Sequence, residues 1–448
     1  MWKDVRKMSR KEIEEELETL KKVRELSNQV NVDKLLKKQL DLEPLQKVNM
    51  TITANGALYH RVKGFLPEMM KKMYDGRVIF KNKMLEAKKQ YEKTPTIELM
   101  KEIARCNNIQ MARKISLNSA YGAIGNEHFR YYRLANAEAI TLSGQLSIRW
   151  IENKMNEYLN KLLSTETVDY VIASDTDSIY LNLGPLVSKF FSNKSGDKAA
   201  VVGILDKICQ DKLEPFIESS YQELADYVSA YEQKMSMKRE NIADRGIWTA
   251  KKRYILNVWD SEGVRYKEPK MKIMGLETAR SSTPAYFRDK LYAAFKIIIG
   301  KTNDELIDFI NVVRAETRLR PYSEVAFPRG VNNLAKYRHP TEIYREKTPI
   351  QVRGALLYNH YVKKYKVENK HPLIQEGEKI KFMYLKTPNP IHENAISFFG
   401  ELPKEFGLEK YVDYQTQFEK SFLEPLKNVL QCIGWQHEKT ITIGSFFE

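Results

Sequence analysis

The sequence predicts a multidomain α+β protein in which a helical hairpin, an antiparallel sheet and a mostly helical C-terminal part follow one another. Three patterns within the 448 residues indicate this class. Helical periodicity interrupted at Thr94-Pro95 predicts two helices joined by a short break. Apolar strand-like runs flank Asp175-Thr-Asp177, and the residues after 268 mix helical and loop patterns. Because the chain is too long for one hydrophobic core, two to four domains are expected.

The composition limits the class of protein. The chain has 73 Lys and Arg against 58 Asp and Glu, a net charge of +15, and a basic, aromatic-rich chain fits a polyanion partner. Its three cysteines are far apart and form no CxxC pair, which argues against a disulfide framework or a zinc site. Met1 leads into charged residues, and no run of about 18 apolar residues occurs. The prediction is a cytoplasmic protein with no membrane partner.

The individual elements are predicted from local patterns. Residues 1–47 carry many charges with leucines at helical spacing, which predicts a polar amphipathic helical lead. Asn55-Gly56 predicts a tight turn between two short strands. Further helices and strands are expected as follows: helices over 67–93, after Pro95 to Ala120 and over 137–159, and strands over 168–173, 178–183 and 250–259.

The Asp175-Thr-Asp177 turn is a candidate metal site. At a strand–turn–strand tip, two carboxylates one residue apart can face the same point, and their repulsion favours a neutralising cation. A carboxylate pair together with substrate phosphates suits Mg²⁺, and two such ions about 4 Å apart serve an in-line phosphoryl transfer. The alternative is a solvated turn, because aspartate also favours turns for local hydrogen-bonding reasons.

The second helix of the hairpin at 64–126 is a candidate nucleotide site. The hairpin is basic, with 12 Lys and Arg against 6 Asp and Glu. Lys114, Asn118 and Tyr121 fall at i, i+4 and i+7, so they share one helical face. Tyr121 followed by Gly122 offers an aromatic surface with close backbone access, which is suitable for a base pair.

The first helix of the hairpin carries cations at the same kind of spacing. Arg77, Lys81 and Lys88 are separated by four and seven residues, so they share one helical face. Cations on both helices can bind a triphosphate. An Arg guanidinium can donate hydrogen bonds to two phosphate oxygens at once, and a Lys ammonium acts as a point charge. The alternative is a solvated charged face, which most helical Lys and Arg form.

The strand around Lys252 is a candidate duplex-binding element. Alternation predicts that Lys252, Tyr254, Leu256 and Val258 share one face. A Lys–Tyr pair on a strand can hold a duplex through phosphate and groove contacts, and Lys272 adds a further cation. An edge strand with protective lysines is the alternative.

The C-terminal tail 440–448 is a candidate partner-binding peptide. Ile443, Phe446 and Phe447 follow the spacing i, i+3, i+4, which fits one helical turn inserted into a partner's pocket. Leaving these side chains in water is costly, so docking onto the chain's own surface is an equally weighted alternative.

Three motifs, in this order, resemble those of family B DNA polymerases: Lys114-Ile-Ser-Leu-Asn-Ser-Ala-Tyr-Gly122, Asp175-Thr-Asp-Ser178 and Lys251-Lys-Arg-Tyr254. Three further stretches resemble the T-even phage-type replicative enzyme: Asn126-Glu-His-Phe-Arg-Tyr-Tyr132, Lys272-Ile-Met-Gly275 and Glu277-Thr-Ala-Arg-Ser-Ser-Thr-Pro284. The resemblance runs from about Ile52 to the C-terminus. It implies a right-hand architecture: a charged helical lead and partial palm over 1–63, helical-hairpin fingers over 64–126, an antiparallel-sheet palm over 127–267 and a mostly helical thumb over 268–448.

The resemblance also implies roles for these residues. The incoming deoxynucleoside triphosphate would be bound by Arg77, Lys81, Lys114 and Asn118, with Tyr121 and Gly122 beside the nascent base pair. Two Mg²⁺ ions would be held by Asp175 and Asp177, with Glu240 as an accessory acidic residue. Primer–template DNA would be held by Lys252, Tyr254 and Lys272, and a sliding clamp by Ile443, Phe446 and Phe447.

Some family features are missing or altered in this sequence. The first carboxylate motif, an Asp followed by a Ser-Leu-Tyr-Pro-Ser-like run, is absent, as is the exonuclease domain with its acidic pairs. Ser174 stands where glycine usually precedes the Asp pair, and Ala120 stands where leucine is common. The spacing from Arg77 to Lys114 is shorter than in the T-even type, which predicts shorter fingers.

These features lead to three hypotheses. The first is the C-terminal subunit of a split viral replicative polymerase in the host bacterial cytoplasm, whose partner chain supplies the exonuclease, the N-terminal palm strand and the missing Asp. The second is a non-catalytic protein, derived from a polymerase, that binds primer–template and a sliding clamp. The third is a gene fragment or a late choice of start site.

Overall fold

A computed structural model describes residues 8–192 and 196–439, and the chain divides into two compact units. Within the described residues, the first unit runs to Ile242 and includes Trp259–Pro269. The second consists of Ala243–Val258 and the residues from Lys270 onward. Helices and small sheets occur together, so the predicted α+β class is confirmed. The division into fingers, palm and thumb stays a prediction.

The charged lead folds into helices α1 (Arg10–Gln29), α2 (Val32–Leu36) and α3 (Glu43–Lys47). Ser9 begins α1 with a capping box: its hydroxyl accepts a hydrogen bond from the amide of Glu12, whose carboxylate accepts one from the amide of Ser9. Val23, Leu35 and Leu45 are fully buried in the core of the first unit. The lead is therefore packed against the unit and is more than a solvated helix.

The predicted turn at Asn55-Gly56 joins two short antiparallel strands, β1 (Met50–Ile52) and β2 (Leu58–His60). Gly56 has φ +82°, and a Cβ at this position would lie 2.3 Å from the carbonyl oxygen of Ser27 on α1. Glycine is required here by both the left-handed backbone and the close approach of α1.

The predicted helical hairpin consists of α4 (Phe65–Lys93) and α5 (Ile97–Ile124), so α5 ends after the expected Ala120. Thr96 caps α5 by accepting a hydrogen bond of 3.2 Å from the amide of Leu99. The buried side chains of the hairpin are few, namely Met84, Ala87, Cys106 and Gln110. Most of its surface is therefore available for ligands.

The core of the first unit is built around one long helix, as predicted. Its elements are α6 (Leu134–Leu163), β3 (Val171–Asp175), β4 (Ser178–Leu181), α7 (Gly184–Phe190), α8 (Lys198–Ile208) and α9 (Glu214–Tyr227). On α6, Trp150, Ile151 and Met155 are buried, and the Trp150 Nε1–H donates a 2.9 Å hydrogen bond to the carbonyl of Ser220 on α9. These contacts give the β3–β4 hairpin a rigid support.

The sheet with the order β5-β6-β7 comprises β5 (Asn241–Ala250), β6 (Arg253–Ser261) and β7 (Val264–Met274). The strand predicted over 250–259 was wrong at its start, because β6 begins at Arg253. Lys252 lies in the preceding turn with φ +64°. Lys252 and Tyr254 therefore do not share a strand face as predicted.

The second unit contains helices and a further small sheet: α10 (Ala285–Gly300), α11 (Asn303–Thr317), α12 (Tyr322–Val325), β8 (Phe327–Gly330), α13 (Leu334–Tyr337), α14 (Ile350–Lys364), β9 (Lys379–Tyr384), β10 (Ala395–Phe398), α15 (Tyr414–Phe418) and α16 (Glu424–Ile433). One core lies among α10, α11 and α16, and a second lies between α14 and the antiparallel sheet β10-β9-β8. This sheet was not predicted. Across residues 8–192 and 196–439, no helix has both the length and the apolar character needed to cross a membrane.

Candidate active site

Asp175 and Asp177 lie at the turn of the β3–β4 hairpin, as predicted. Asp175 ends β3, and Ser178, its cross-strand partner, begins β4. Thr176 between them has φ +54°, and the amide of Asp177 donates a 2.6 Å hydrogen bond to the carbonyl of Asp175. Asp177 is exposed and Asp175 is partly buried. This tight turn places two carboxylates at one end of the hairpin.

Hydroxyl groups surround the turn and hold its backbone. The Thr176 hydroxyl donates to Asp175 Oδ1 at 3.1 Å, and the Ser178 hydroxyl donates to the Asp175 carbonyl at 3.2 Å. Ser174, which replaces the usual glycine, donates to Glu152 Oε2 on α6 at 3.3 Å. The serine is therefore accommodated by a link from β3 to α6. Glu152 was not singled out in the sequence, because a lone helical glutamate carries no signal.

Tyr221 on α9 also lies near the carboxylate pair. Burial, and after it the charge of Asp177, raises the pKa of Tyr221 to about 12. The Tyr221 ring is buried, and its hydroxyl lies close enough to Asp177 for the charge of this carboxylate to act on it. The sequence contains no signal for this contact, since Tyr221 has the spacing of an ordinary core residue.

Glu240 is not assembled with the aspartates. Its carbonyl accepts a 2.6 Å hydrogen bond from the amide of Glu262, and its Oε1 accepts one of 3.2 Å from Asn241. In the described part of the chain, no group of three or more Asp, Glu, His or Cys side chains is arranged to hold a metal ion. Asp175, Asp177 and Glu240 therefore form no three-carboxylate cluster among the described residues, and the accessory role of Glu240 stays a prediction.

The donors that are present still fit magnesium. Mg²⁺ is commonly bound by one or two carboxylates, with substrate phosphates and water completing its shell. Asp175 and Asp177 supply two hard oxygen donors with one exposed side. A further carboxylate would have to come from outside the described residues.

On α5, the predicted nucleotide-binding side chains are accessible. Lys114, Asn118, Tyr121 and Gly122 are all exposed. The Tyr121 hydroxyl shares a 2.7 Å hydrogen bond with Thr141 of α6, and a Cβ at Gly122 would meet nothing within 4 Å. The tyrosine is thus anchored at its hydroxyl while its ring remains 46% exposed.

On α4, Arg77 and Lys81 are both partly buried. The Arg77 Nε is buried and has no hydrogen-bond partner within the described residues. Lys81 forms an ion pair with Glu262, in the turn between β6 and β7. The basic face of α4 is therefore less open than that of α5.

Arg113 on α5 is a further residue of the hairpin that the sequence did not single out. Its guanidinium lies over the ring of Phe80 at 5.1 Å. A Cβ at Gly76 would lie 2.0 Å from Arg113 Nη1, so α4 leaves room for this side chain by having a glycine. The glycine inside the 29-residue helix α4 was the sequence feature that could have indicated this close contact. Arg113 thus fixes α5 against α4 next to Arg77 and Lys114.

The predicted duplex-binding residues belong to the second unit. Lys252 is exposed, whereas Tyr254 is only 8% exposed and packs against Trp248 with ring centroids 6.2 Å apart. A Cβ at Gly275 would lie 2.1 Å from the carbonyl oxygen of Lys252, so the end of β7, which carries Lys272, approaches the Lys252 turn. The structure brings these two lysine segments together and makes Tyr254 largely a packing residue. Ile443, Phe446 and Phe447 lie outside the described residues.

A carboxylate pair at a hairpin turn and a basic helical hairpin lie within one unit, and these side-chain types are the ones that bind metal ions and phosphates in proteins. The sequence profile of DNA polymerase family B matches residues 17–200. With the relatives described next, this match shows that the chain belongs to DNA polymerase family B and resembles the phage T4 type.

Two phage proteins are similar over most of the chain. The DNA-directed DNA polymerase of Enterobacteria phage T4 is 35% identical over 362 residues, which cover 78% of this chain and 40% of that protein. The enzyme of the same name from Escherichia phage RB69 is 36% identical, covering 76% of this chain and 38% of that protein. DNA polymerase 2 of Aeropyrum pernix is 24% identical over 80% of this chain. The chain thus spans about two fifths of the length of the phage relatives.

Proposed function

We propose that this chain forms the nucleotide-binding and DNA-holding part of a viral replicative DNA polymerase. The observation that carries the proposal is the Asp175–Asp177 turn, supported on α6 in a chain of family B. The reaction is attack of a primer 3′-hydroxyl on the α-phosphorus of a deoxynucleoside triphosphate. The remaining carboxylate and the proofreading exonuclease come from polypeptide outside these 448 residues, either a partner chain or another segment.

Each group has a defined task in this proposal. Asp175 and Asp177 would hold Mg²⁺, which would supply electrostatic stabilisation for the phosphoryl transfer. Lys114 and Asn118, with Arg77 and Lys81, bind the triphosphate. Tyr121 presents its ring beside Gly122, where the absence of a side chain leaves space for a base pair.

The nucleotide-binding part of the proposal is tested at Lys114. Lys114→Ala, measured in the polymerase assembly purified through a tag on this chain, raises KM for dNTP about tenfold or more, because a charge-assisted contact to phosphate is lost. Lys101→Ala, at an exposed position on the same helix, is the matched control and leaves KM unchanged. An unchanged KM in Lys114→Ala removes this residue from the site.

The duplex-holding part is tested by salt dependence. Lys252 and Lys272 each neutralise a phosphate in the proposal, so each alanine variant lowers the slope of log affinity against log salt by about 0.9. Binding of a fluorescent primer–template to the purified chain measures the slope, and Lys410→Ala is the control, with an exposed lysine on a different element. Slopes equal to that of the wild type contradict the assignment.

The tail is proposed to bind a sliding clamp through Ile443, Phe446 and Phe447. Removing residues 440–448 then shortens the products of processive synthesis only when a clamp is loaded, and leaves single-nucleotide incorporation unchanged. Product lengths with and without the clamp measure this. A loss of thermal stability in the truncated chain shows instead that the tail packs on its own surface.

A second candidate function is non-catalytic binding of primer–template and clamp. It is favoured by the lack of a three-carboxylate cluster in residues 8–192 and 196–439. Purification from the producing cells distinguishes the two. Polymerase activity in the purified assembly supports the enzyme, and an assembly that binds primer–template without extending it supports the binding protein.

A further inference from the structure

We propose that Glu262 is a gating residue that holds Lys81 away from the nucleotide until a triphosphate competes for it. The inference rests on the proposed role of Lys81 in dNTP binding. It starts from the ion pair between Lys81 on α4 and Glu262 in the β6–β7 turn, both within the first unit. The two side chains are 32% and 27% exposed, so solvent screens this pair only in part.

The backbone of the turn keeps Glu262 in a fixed position. Glu262 has φ +53°, an uncommon conformation for a residue with a side chain, and Gly263 follows with φ +81°. The Glu262 amide donates to the Glu240 carbonyl at 2.6 Å, and the Gly263 amide donates to Asp260 Oδ1 at 2.9 Å. Both positive φ values belong to the two-residue turn that joins β6 to β7, where hairpins commonly adopt them, so the turn holds Glu262 in one backbone conformation.

The support beneath this turn is buried and charged. Asp260 is 1% exposed and pairs with Arg239 and with Arg265, whose Nε lies 3.0 Å from Asp260 Oδ2. Arg239 also pairs with Asp206 on α8. Burial opposes the charge of Arg239, but its two carboxylate partners raise the pKa of the guanidinium. The turn is therefore tied to the body of the unit through ion pairs.

A second contact brings α4 to the same turn. A Cβ at Gly263 would lie 3.4 Å from Lys89 Cε, so the glycine lets this part of α4 pass close by. Lys81 and Lys89 are two turns apart and share one face of α4. The helix thus contacts the turn along that face. Of the two turn residues, Glu262 is the acidic one, and it forms the ion pair with Lys81.

The ion pair has a consequence for nucleotide binding. A ligand that needs one state of an equilibrium binds with an affinity reduced by the fraction of protein in that state. In the proposed gate, Lys81 leaves Glu262 when it binds a phosphate. A triphosphate, with several negative charges, displaces a single carboxylate more readily than a monophosphate does. Glu262 therefore lowers apparent nucleotide affinity and favours triphosphates.

Charge removal at Glu262 tests the gate. In the assembly purified through this chain, Glu262→Gln lowers KM for dNTP about twofold to fivefold, the range given by a partly exposed ion pair. It leaves the maximal rate unchanged. Glu268→Gln, an exposed glutamate on β7, is the matched control and leaves KM unchanged. An unchanged or raised KM in Glu262→Gln overturns the gate.

A second measurement separates the gate from the proposed function. In the purified chain without nucleotide, Lys81 of Glu262→Gln is acylated by an amine reagent faster than wild-type Lys81, and mass spectrometry measures the rates against Lys101. Equal acylation rates in the two proteins contradict the ion pair between Lys81 and Glu262. Lys81→Ala raises KM if Lys81 binds dNTP. Should Lys81→Ala leave KM unchanged while the acylation rates differ, the assigned role of Lys81 fails and the contact stands.

Discussion

Asp177→Asn lowers primer extension by the polymerase assembly at least about a thousandfold, while its affinity for primer–template stays within about twofold. Asparagine has the same shape and keeps the backbone amide that closes the turn onto the Asp175 carbonyl. In the proposed site the substitution removes one anionic ligand of Mg²⁺, and neutral asparagine would not replace it for an ion that would stabilise charge on the reacting oxygens. DNA affinity is kept because the duplex is held by other residues.

The control for this substitution is Glu218→Gln, which neutralises an exposed carboxylate on α9 in the same unit. It leaves the extension rate unchanged. Single-nucleotide incorporation under saturating dNTP measures the chemical step, and fluorescence anisotropy measures duplex affinity. Extension retained by Asp177→Asn contradicts the metal-binding role, and a matching loss in Glu218→Gln shows a general charge effect.

The second large effect concerns the isolated chain. The purified 448-residue chain with Mg²⁺ binds primer–template but extends it at least about a thousandfold more slowly than the complete assembly. Its described residues offer only the carboxylate pair, and no cluster of three metal-ligating groups. In the proposed site, a carboxylate pair alone would hold Mg²⁺ weakly and would leave the attacking oxygen without its full electrostatic support.

Complementation identifies the missing part. A polypeptide that carries an Asp followed by a Ser-Leu-Tyr-Pro-Ser-like run restores extension when it is added to the chain, and the same polypeptide with that Asp changed to Asn does not. Robust synthesis by the chain alone means that the third carboxylate lies within the 448 residues.

The helices of the charged lead, the hairpin and α6 were predictable because their signals are local, whereas α7, α8 and α9 were not predicted. Thr94-Pro95 separates α4 from α5, and helical periodicity over 137–159 predicts the central part of α6. The Asp175–Asp177 turn was predictable for a similar reason, since apolar strands flank it. Such features depend on residues within about one helical turn or one hairpin of each other.

Contacts between distant segments were not predictable. The sheet β8–β10 was missed because its strands are short and β8 is far from β9 in the sequence. In β10 every residue is buried, which removes the alternating pattern. The Lys81–Glu262 ion pair joins residues of no shared motif. Lys252 was misplaced because the boundary of a strand is set by its turn, and the left-handed residue there is a lysine.

The most direct test of the metal site is cleavage by bound iron. Fe²⁺ is added in place of Mg²⁺ to the assembly with primer–template and dNTP, together with hydrogen peroxide and ascorbate. The bound Fe²⁺ reduces the peroxide to a hydroxyl radical and hydroxide, the ascorbate regenerates Fe²⁺, and the radical cuts the backbone next to the ion. We expect cuts between residues 174 and 178 of this chain, competed by Mg²⁺ and lost in Asp177→Asn. Cuts that occur only elsewhere, in an assembly that still extends primers, contradict a metal site at Asp175 and Asp177.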